Sequence, residues 1–297
     1  MGYLHLDNLY KNQQILAFKR VYALEKIHGT SASVSWDGKD TLTFFSGGAS
    51  HALFVGLFNE ADLLARFKTK FGEYGEAVTI HGEAYGGKLQ GMSATYGKWI
   101  KFVAFDVKIG DNWLSVPQAH DVVTAAGLEF VDYEEIEATL PEIDRVRDLR
   151  STQAVRNGIL EERIREGVVL RPPFEVTGNN GSRIIAKHKR DEFRESATPR
   201  SVDPAKAVLL TRAGDIATEW VTPMRLEHVI DRLVRERDEK TASMGDIPAV
   251  ITLMQEDVER EAVGVDEWTK DIRKSIGNAT VKLFKQRLDA EMRAANE

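Results

Sequence analysis

The hydrophobic pattern of this chain changes period along its length. Residues 1–21 carry an apolar-periodic piece, Leu9, Ile15, Leu16 and Phe18, that reads as a short helix or an extended lead-in. Residues 22–56 alternate in strand fashion around Trp36–Asp37–Gly38–Lys39–Asp40, and an Asp-Gly pair is a strong hairpin signal. Phe58, Leu63, Leu64 and Phe67 return at helical spacing, which predicts a helix over 58–71 started near Asn59. Strands are predicted at 78–85, 101–107, 128–133, 167–171 and 183–189, and a helix at 117–127. The charged stretch 134–165 reads as helical and solvated, interrupted at Gly158.

Composition shifts between Thr198 and Pro204, where a domain boundary is expected. Beyond it, Leu226, Val229, Ile230, Leu233 and Val234 form one apolar helical face. Ile247, Val250, Ile251 and Met254 repeat the pattern, followed by Trp268, Ile272 and Ile276, then Leu283, Phe284 and Leu288. The fold class expected is therefore α+β. An antiparallel-rich domain spans 1–200, and a small all-helical domain spans 201–297.

Composition narrows the function classes. A chain of 297 residues can bury one large core and a smaller one, and 29% charged residues suit a soluble globular protein. The absence of cysteine removes disulfides and thiolate metal sites, and fits a cytoplasmic location. No apolar run approaches the roughly 20 residues that span a bilayer, so no membrane partner is expected. A net charge of −6 argues against bulk attraction to nucleic acid, yet leaves room for a local basic groove.

Candidate chemistry gathers on five short pieces. Lys26–Ile27–His28–Gly29 places a lysine at a tight turn between strands, where Gly29 lets the backbone approach a ligand closely. In an electropositive cleft the pKa of such an ammonium falls from about 10.4, and the neutral amine becomes a nucleophile. Glu83, in Gly82–Glu83–Ala84–Tyr85–Gly86, stands at a strand end. Phe102 and Phe105 lie in an apolar strand, where one aromatic face can stack a purine. Glu166, in Glu166–Gly167–Val168–Val169, puts a second carboxylate before a buried strand, where a divalent cation can be held through oxygen or water. Lys187 and Lys189 share one strand face by the two-residue alternation.

In order, these pieces resemble the motif series of the covalent nucleotidyltransferase superfamily of ligases and capping enzymes: K-x-x-G, G-E-x-x-G, F-x-A-F-D, E-G-x-V and K-x-K. With His28 where DNA ligases and capping enzymes usually carry aspartate, the chain is most similar to the RNA ligase 2-like family, over about residues 22–195. The resemblance implies an ATP-dependent RNA ligase acting through a lysyl-adenylate and an RNA-adenylate, with Mg²⁺ or Mn²⁺. It implies that Lys26 is the nucleophile and that Lys187 and Lys189 attend the α-phosphate and depress the pKa of Lys26. Glu166 would hold the metal, Glu83 the ribose and Phe102 the adenine, with Glu25 bordering the adenine edge. RNA, as a nicked duplex or as broken ends, is the expected partner of a monomer.

The resemblance has gaps. The family usually places an arginine beside a serine after the second strand, whereas this chain reads Phe45–Ser46–Gly47–Gly48–Ala49–Ser50–His51. Asp106 is read as a strand-end hydrogen-bonding group rather than a metal ligand. Arg190, Arg194 and Arg200 are candidates for phosphate contacts. The competing functions are a DNA ligase, a capping-type nucleotidyltransferase, and a non-catalytic RNA-binding descendant of a ligase.

Overall fold

A computed structural model of the chain describes residues 2–177, 182–193, 201–237, 241–262, 265 and 267–296. It divides into two units, Met1–Ile15 with Arg20–Ser201, and Leu16–Lys19 with Val202–Glu297. The first unit is built on two antiparallel sheets. Its elements in chain order begin with β1 (Arg20–Lys26), β2 (Thr30–Trp36) and β3 (Leu42–Ser46), then α1 (His51–Val55), α2 (Glu60–Phe71) and β4 (Val78–Gly86). They continue through α3 (Ser93–Tyr96), β5 (Ile100–Ile109), β6 (Asn112–Trp113) and α4 (Val116–Ala125). β7 (Tyr133–Glu137), α5 (Leu140–Arg147), α6 (Thr152–Arg156), β8 (Gly167–Arg171) and β9 (Ala186–Lys189) complete the unit.

One sheet has the order β7-β1-β8-β9 and the other β3-β2-β4-β5-β6. A core that includes Leu24, Val34, Trp36, Ile80, Tyr85 and Val107 joins residues of both sheets with α2 and α4. The Asp37–Gly38 turn forms as expected, with the Asp37 amide donating to the Thr41 carbonyl at 3.1 Å and Gly38 at φ 82°. α2 starts where Asn59 Oδ1 accepts the Asp62 amide at 3.2 Å, the N-cap arrangement expected of asparagine.

Three local expectations change. The strand read at 128–133 begins only at Tyr133. Upstream, the Ala104 amide donates to the Glu129 carbonyl and the Val131 amide to the Ala104 carbonyl, both at 2.8 Å, so these residues touch β5 without extending a ladder. The charged stretch 134–165 is not one helix: β7 is an edge strand of its sheet with Ile136 turned inward, and its glutamates suit an edge that must not pair further. Only α5 and α6 are helical there, and the chain breaks at Gly158 (φ 83°). The strand read at 183–189 shortens to β9, because Arg183 bridges back to Thr177 and the Ile184 amide donates to the Val176 carbonyl at 3.0 Å, away from β8.

The second unit contains α7 (Pro204–Trp220), α8 (Pro223–Arg237), α9 (Ile247–Glu261) and α10 (Lys270–Asn296). Leu226, Val229, Ile230 and Leu233 of α8, Val250 and Met254 of α9, and Ile276 and Phe284 of α10 share one core. These are the apolar faces read from the sequence. Among the described residues no helix is long and apolar enough to cross a membrane.

Candidate active site

Lys26 ends β1, where it pairs with Gly167 of β8, which in turn pairs with Lys189 of β9. This register brings three distant motifs to one end of a sheet. Gly167 has to be glycine: a Cβ there would lie 2.2 Å from the His188 carbonyl oxygen. Just before it, Glu166 is 1% exposed and its two oxygens are divided between cations. Lys26 Nζ lies 3.0 Å from Oε2 and Lys189 Nζ 2.8 Å from Oε1. His28 Nδ1 reaches Oε2 at 3.2 Å. Burial works to raise the Glu166 pKa, but the His28 contact and the two ammoniums outweigh it and hold the carboxyl at about 2.

Gly29 is required for a different reason from a turn angle. A Cβ at this position would sit 2.3 Å from the Ala84 carbonyl oxygen of β4, so the loop after Lys26 packs directly on the neighbouring sheet. At that contact the Gly29 amide donates to Glu83 Oε1 at 3.2 Å. Burial raises the Glu83 pKa to about 7, against the lowering effect of Lys26 and with the raising effect of Glu166.

A cavity of about 240 Å³ opens between the sheets. Lys26, Ser31, Glu83, Phe105, Arg171 and Lys187 line it, together with the N-terminal segment Tyr3–Leu4–His5–Leu6. Of the residues singled out from the sequence, Lys26, Glu83 and Lys187 thus meet at the cavity, and Glu166 and Lys189 join them through the ion pairs. Glu25 also borders the cavity, but its carboxylate is taken up elsewhere: Oε1 accepts Ser151 Oγ at 2.5 Å and Oε2 the Gln153 amide at 3.1 Å. Burial raises its pKa while Arg165 lowers it.

Phe102 is not brought to the cavity. β4 pairs Glu83 with Val103 and Ala84 with Phe102, so Phe102 projects to the face opposite Glu83. There it packs edge-on against Phe54 and Phe58, each 5.6 Å away between ring centroids. Of the two phenylalanines in this strand, the one on the cavity side is Phe105, the unpaired residue at the β-bulge between the Ala104 and Asp106 pairings.

Asp106, read from the sequence as a hydrogen-bonding group, gathers partners such as Tyr3 and Arg183 that carry no signal in a single sequence. Asp106 is fully buried and bonded to Arg171 at 2.8 Å, Arg183 at 2.6 Å and the Tyr3 hydroxyl at 2.6 Å. The Tyr3 amide also donates to Ser31 Oγ at 3.2 Å, fastening the N-terminal segment over the cavity. The stretch at Ser46 supplies no arginine, and Ser46 Oγ accepts the Ala49 amide at 3.2 Å. Arg190 bonds the Asp148 carbonyl at 3.0 Å, while Arg194 and Arg200 lie outside the described residues.

Every motif of this constellation lies between Lys26 and Lys189, and the family model described as RNA ligase matches residues 19–189. This chain belongs to the RNA ligase family. No curated protein sequence matches it. Among solved structures it is similar to the Naegleria gruberi RNA ligase. An apo mutant of that enzyme gives a TM-score of 0.50 at 13% identity, covering 65% of this chain and 57% of that one. A mutant with ATP and Mn gives 0.49 at 13% identity, with the same coverage of 65% and 57%. The enzyme with PPi gives 0.48 at 14% identity, again over 65% and 57%. The chain therefore spans 57% of the length of that RNA ligase, and at this identity the likeness is one of fold.

Proposed function

We propose that this chain is an ATP-dependent RNA ligase joining a 3′-hydroxyl to a 5′-phosphate. The observation that carries the reading is Lys26, which lines the inter-sheet cavity with Glu83, Phe105 and Lys187 while resting 3.0 Å from Glu166. In the first step the deprotonated Lys26 Nζ attacks the α-phosphorus of ATP. The N–P bond forms, the bond to the bridging oxygen breaks, and pyrophosphate leaves. A 5′-phosphate oxygen of RNA then attacks the same phosphorus, and the N–P bond breaks as Lys26 regains a proton. Finally the 3′-hydroxyl loses its proton, attacks the 5′-phosphorus and expels AMP.

In this reading Lys187 and Lys189 neutralise charge gathering at the α-phosphate. Glu83 binds the ribose, and Phe105 takes the adenine-stacking role expected of Phe102. Glu25, bound by Ser151 and Gln153, positions β1 rather than touching the nucleotide. Residues 1–200 form the adenylation domain, and the helical domain 201–297 grips the RNA.

The donor chemistry suits a small divalent cation held mainly by phosphate. Among the described residues no three His, Asp or Glu side chains gather into a cage, but Mg²⁺ is commonly bound through one or two carboxylates plus water and substrate phosphates. Glu166, kept ionised by its cationic neighbours, is the side chain that would hold Mg²⁺ or Mn²⁺. Bound there, the cation would neutralise charge on the transferring phosphate.

The test is labelling with ATP or GTP followed by a chase with nicked RNA or nicked DNA. The reading expects label from ATP alone and faster sealing of RNA. Label from GTP would favour a capping-type enzyme, and preferential sealing of DNA a DNA ligase.

A further inference from the structure

The excursion between β4 and β5 is basic in an acidic protein. Between Glu83 and Asp106 the sequence holds Lys88, Lys98 and Lys101 and no acid, in a chain of net charge −6. All three lysines are exposed, and Trp99 stands among them with 80% of its surface in water. Lys101 donates to Asn157 Oδ1 at 2.8 Å, whereas Lys88 and Lys98 form no ion pair among the described residues. An indole left this open contributes little to the core, and its neighbours along the chain suggest what else it meets.

The excursion is anchored beside the nucleophile. The Gly87 amide donates to the Gly97 carbonyl at 3.0 Å, closing its neck. The Tyr96 hydroxyl accepts the amide of His28, two residues beyond Lys26, at 3.3 Å. Asn157 Nδ2 bonds the Tyr96 carbonyl at 3.1 Å. The base of the excursion therefore lies against the loop that follows Lys26.

We propose that this excursion is an RNA-docking surface, on which an unpaired base at a strand end stacks on Trp99 and the flanking phosphates lie on Lys88 and Lys98. The proposal rests on the RNA ligase reading above. Aromatic platforms interleaved with lysine are how proteins hold unpaired nucleic acid, because every base has a π-face and every linkage a charge. RNA ends and breaks offer bases that can leave the stack. A protein partner would call for a contiguous apolar patch, but from Lys88 to Lys101 the exposed residues besides Trp99 are the three lysines, Gln90, Gly91, Ser93 and Ala94, with no second large apolar side chain.

The experiment is fluorescence anisotropy with a 5′-phosphorylated RNA carrying an unpaired end, on AMP-free enzyme without ATP so that nothing turns over, across a salt series. Trp99→Ala should weaken binding roughly fivefold to 100-fold with little change in salt slope, and Trp99→Phe should retain most of the affinity. Lys88→Ala with Lys98→Ala should instead reduce the slope of log affinity against log salt by roughly 0.7–0.9 per lysine. Each variant should still form the AMP adduct with ATP. Unchanged RNA affinity in Trp99→Ala would overturn the surface and leave the indole to a protein contact. Loss of the adduct together with RNA affinity would also overturn it, since the excursion would then be supporting the nucleophile loop. A wild type that forms the adduct but binds no RNA would overturn the RNA reading itself, a result distinct from both.

Discussion

Lys26 Nζ rests 3.0 Å from Glu166 Oε2, the oxygen that His28 Nδ1 also approaches, while Lys189 holds the other oxygen at 2.8 Å. One buried carboxylate thus sets the position of the candidate nucleophile and of a lysine from the last motif. Removing it would leave two ammoniums facing each other with no counter-charge.

Glu166→Gln should therefore destabilise the first unit by roughly 3–5 kcal/mol at neutral pH, the usual effect of breaking a buried ion pair from one side. The Glu166 pKa in the fold is about 2, below its ordinary 4.5, so the stability it contributes is present above pH 4.5 and is lost as pH falls towards 2. Denaturant titrations of wild type and variant should differ at pH 6 and converge towards pH 3.

Glu83 has the opposite sign. Its pKa is raised from 4.5 to about 7, so its protonated form favours the fold below pH 4.5, and that contribution disappears as pH rises through 7. Glu83→Gln can keep the bond from the Gly29 amide without the buried charge. Thermal melts should show the variant above wild type at pH 8, with the gap narrowing towards pH 5.

Phe102 and Phe105 should separate cleanly. Phe102→Ala removes a ring packed on Phe54 and Phe58 and should cost about 3 kcal/mol of stability, with the KM for ATP unchanged in the folded enzyme. Phe105→Ala should raise the KM for ATP at least several-fold with a smaller loss of stability. Melts and adenylation kinetics on both variants check the pair.

Gly29→Ala places a methyl group 2.3 Å from the Ala84 carbonyl oxygen. The loop and β4 must separate, which should cost roughly 1–3 kcal/mol and slow adenylation more than the loss of stability alone explains. Single-turnover adenylation below the variant's melting temperature measures this.

Elements decided by local chemistry are legible in the sequence. The Asp37–Gly38 turn, the Asn59 cap, the strand from Gly167 to Arg171 and the apolar faces of α8, α9 and α10 all follow from residues close in the chain. Features set by strand pairing are not legible in this way. Phe102 and Phe105 are three apart and must face opposite ways, but only the register of Glu83 with Val103, and the bulge after it, decides which of them faces Lys26. The acids of 134–137 suit a solvated helix as well as an edge strand, and only pairing with β1 makes them a strand. The Tyr3 and Arg183 contacts to Asp106 span 103 and 77 residues, and no local pattern announces them.

Lys26 as the covalent nucleophile for ATP is read out by intact mass after incubation with ATP and Mg²⁺. An AMP adduct is expected on the wild type and none on a folded Lys26→Ala variant. An adduct of equal yield on Lys26→Ala would contradict that role. So would no adduct on wild type that had first been stripped with pyrophosphate and then offered ATP with Mn²⁺.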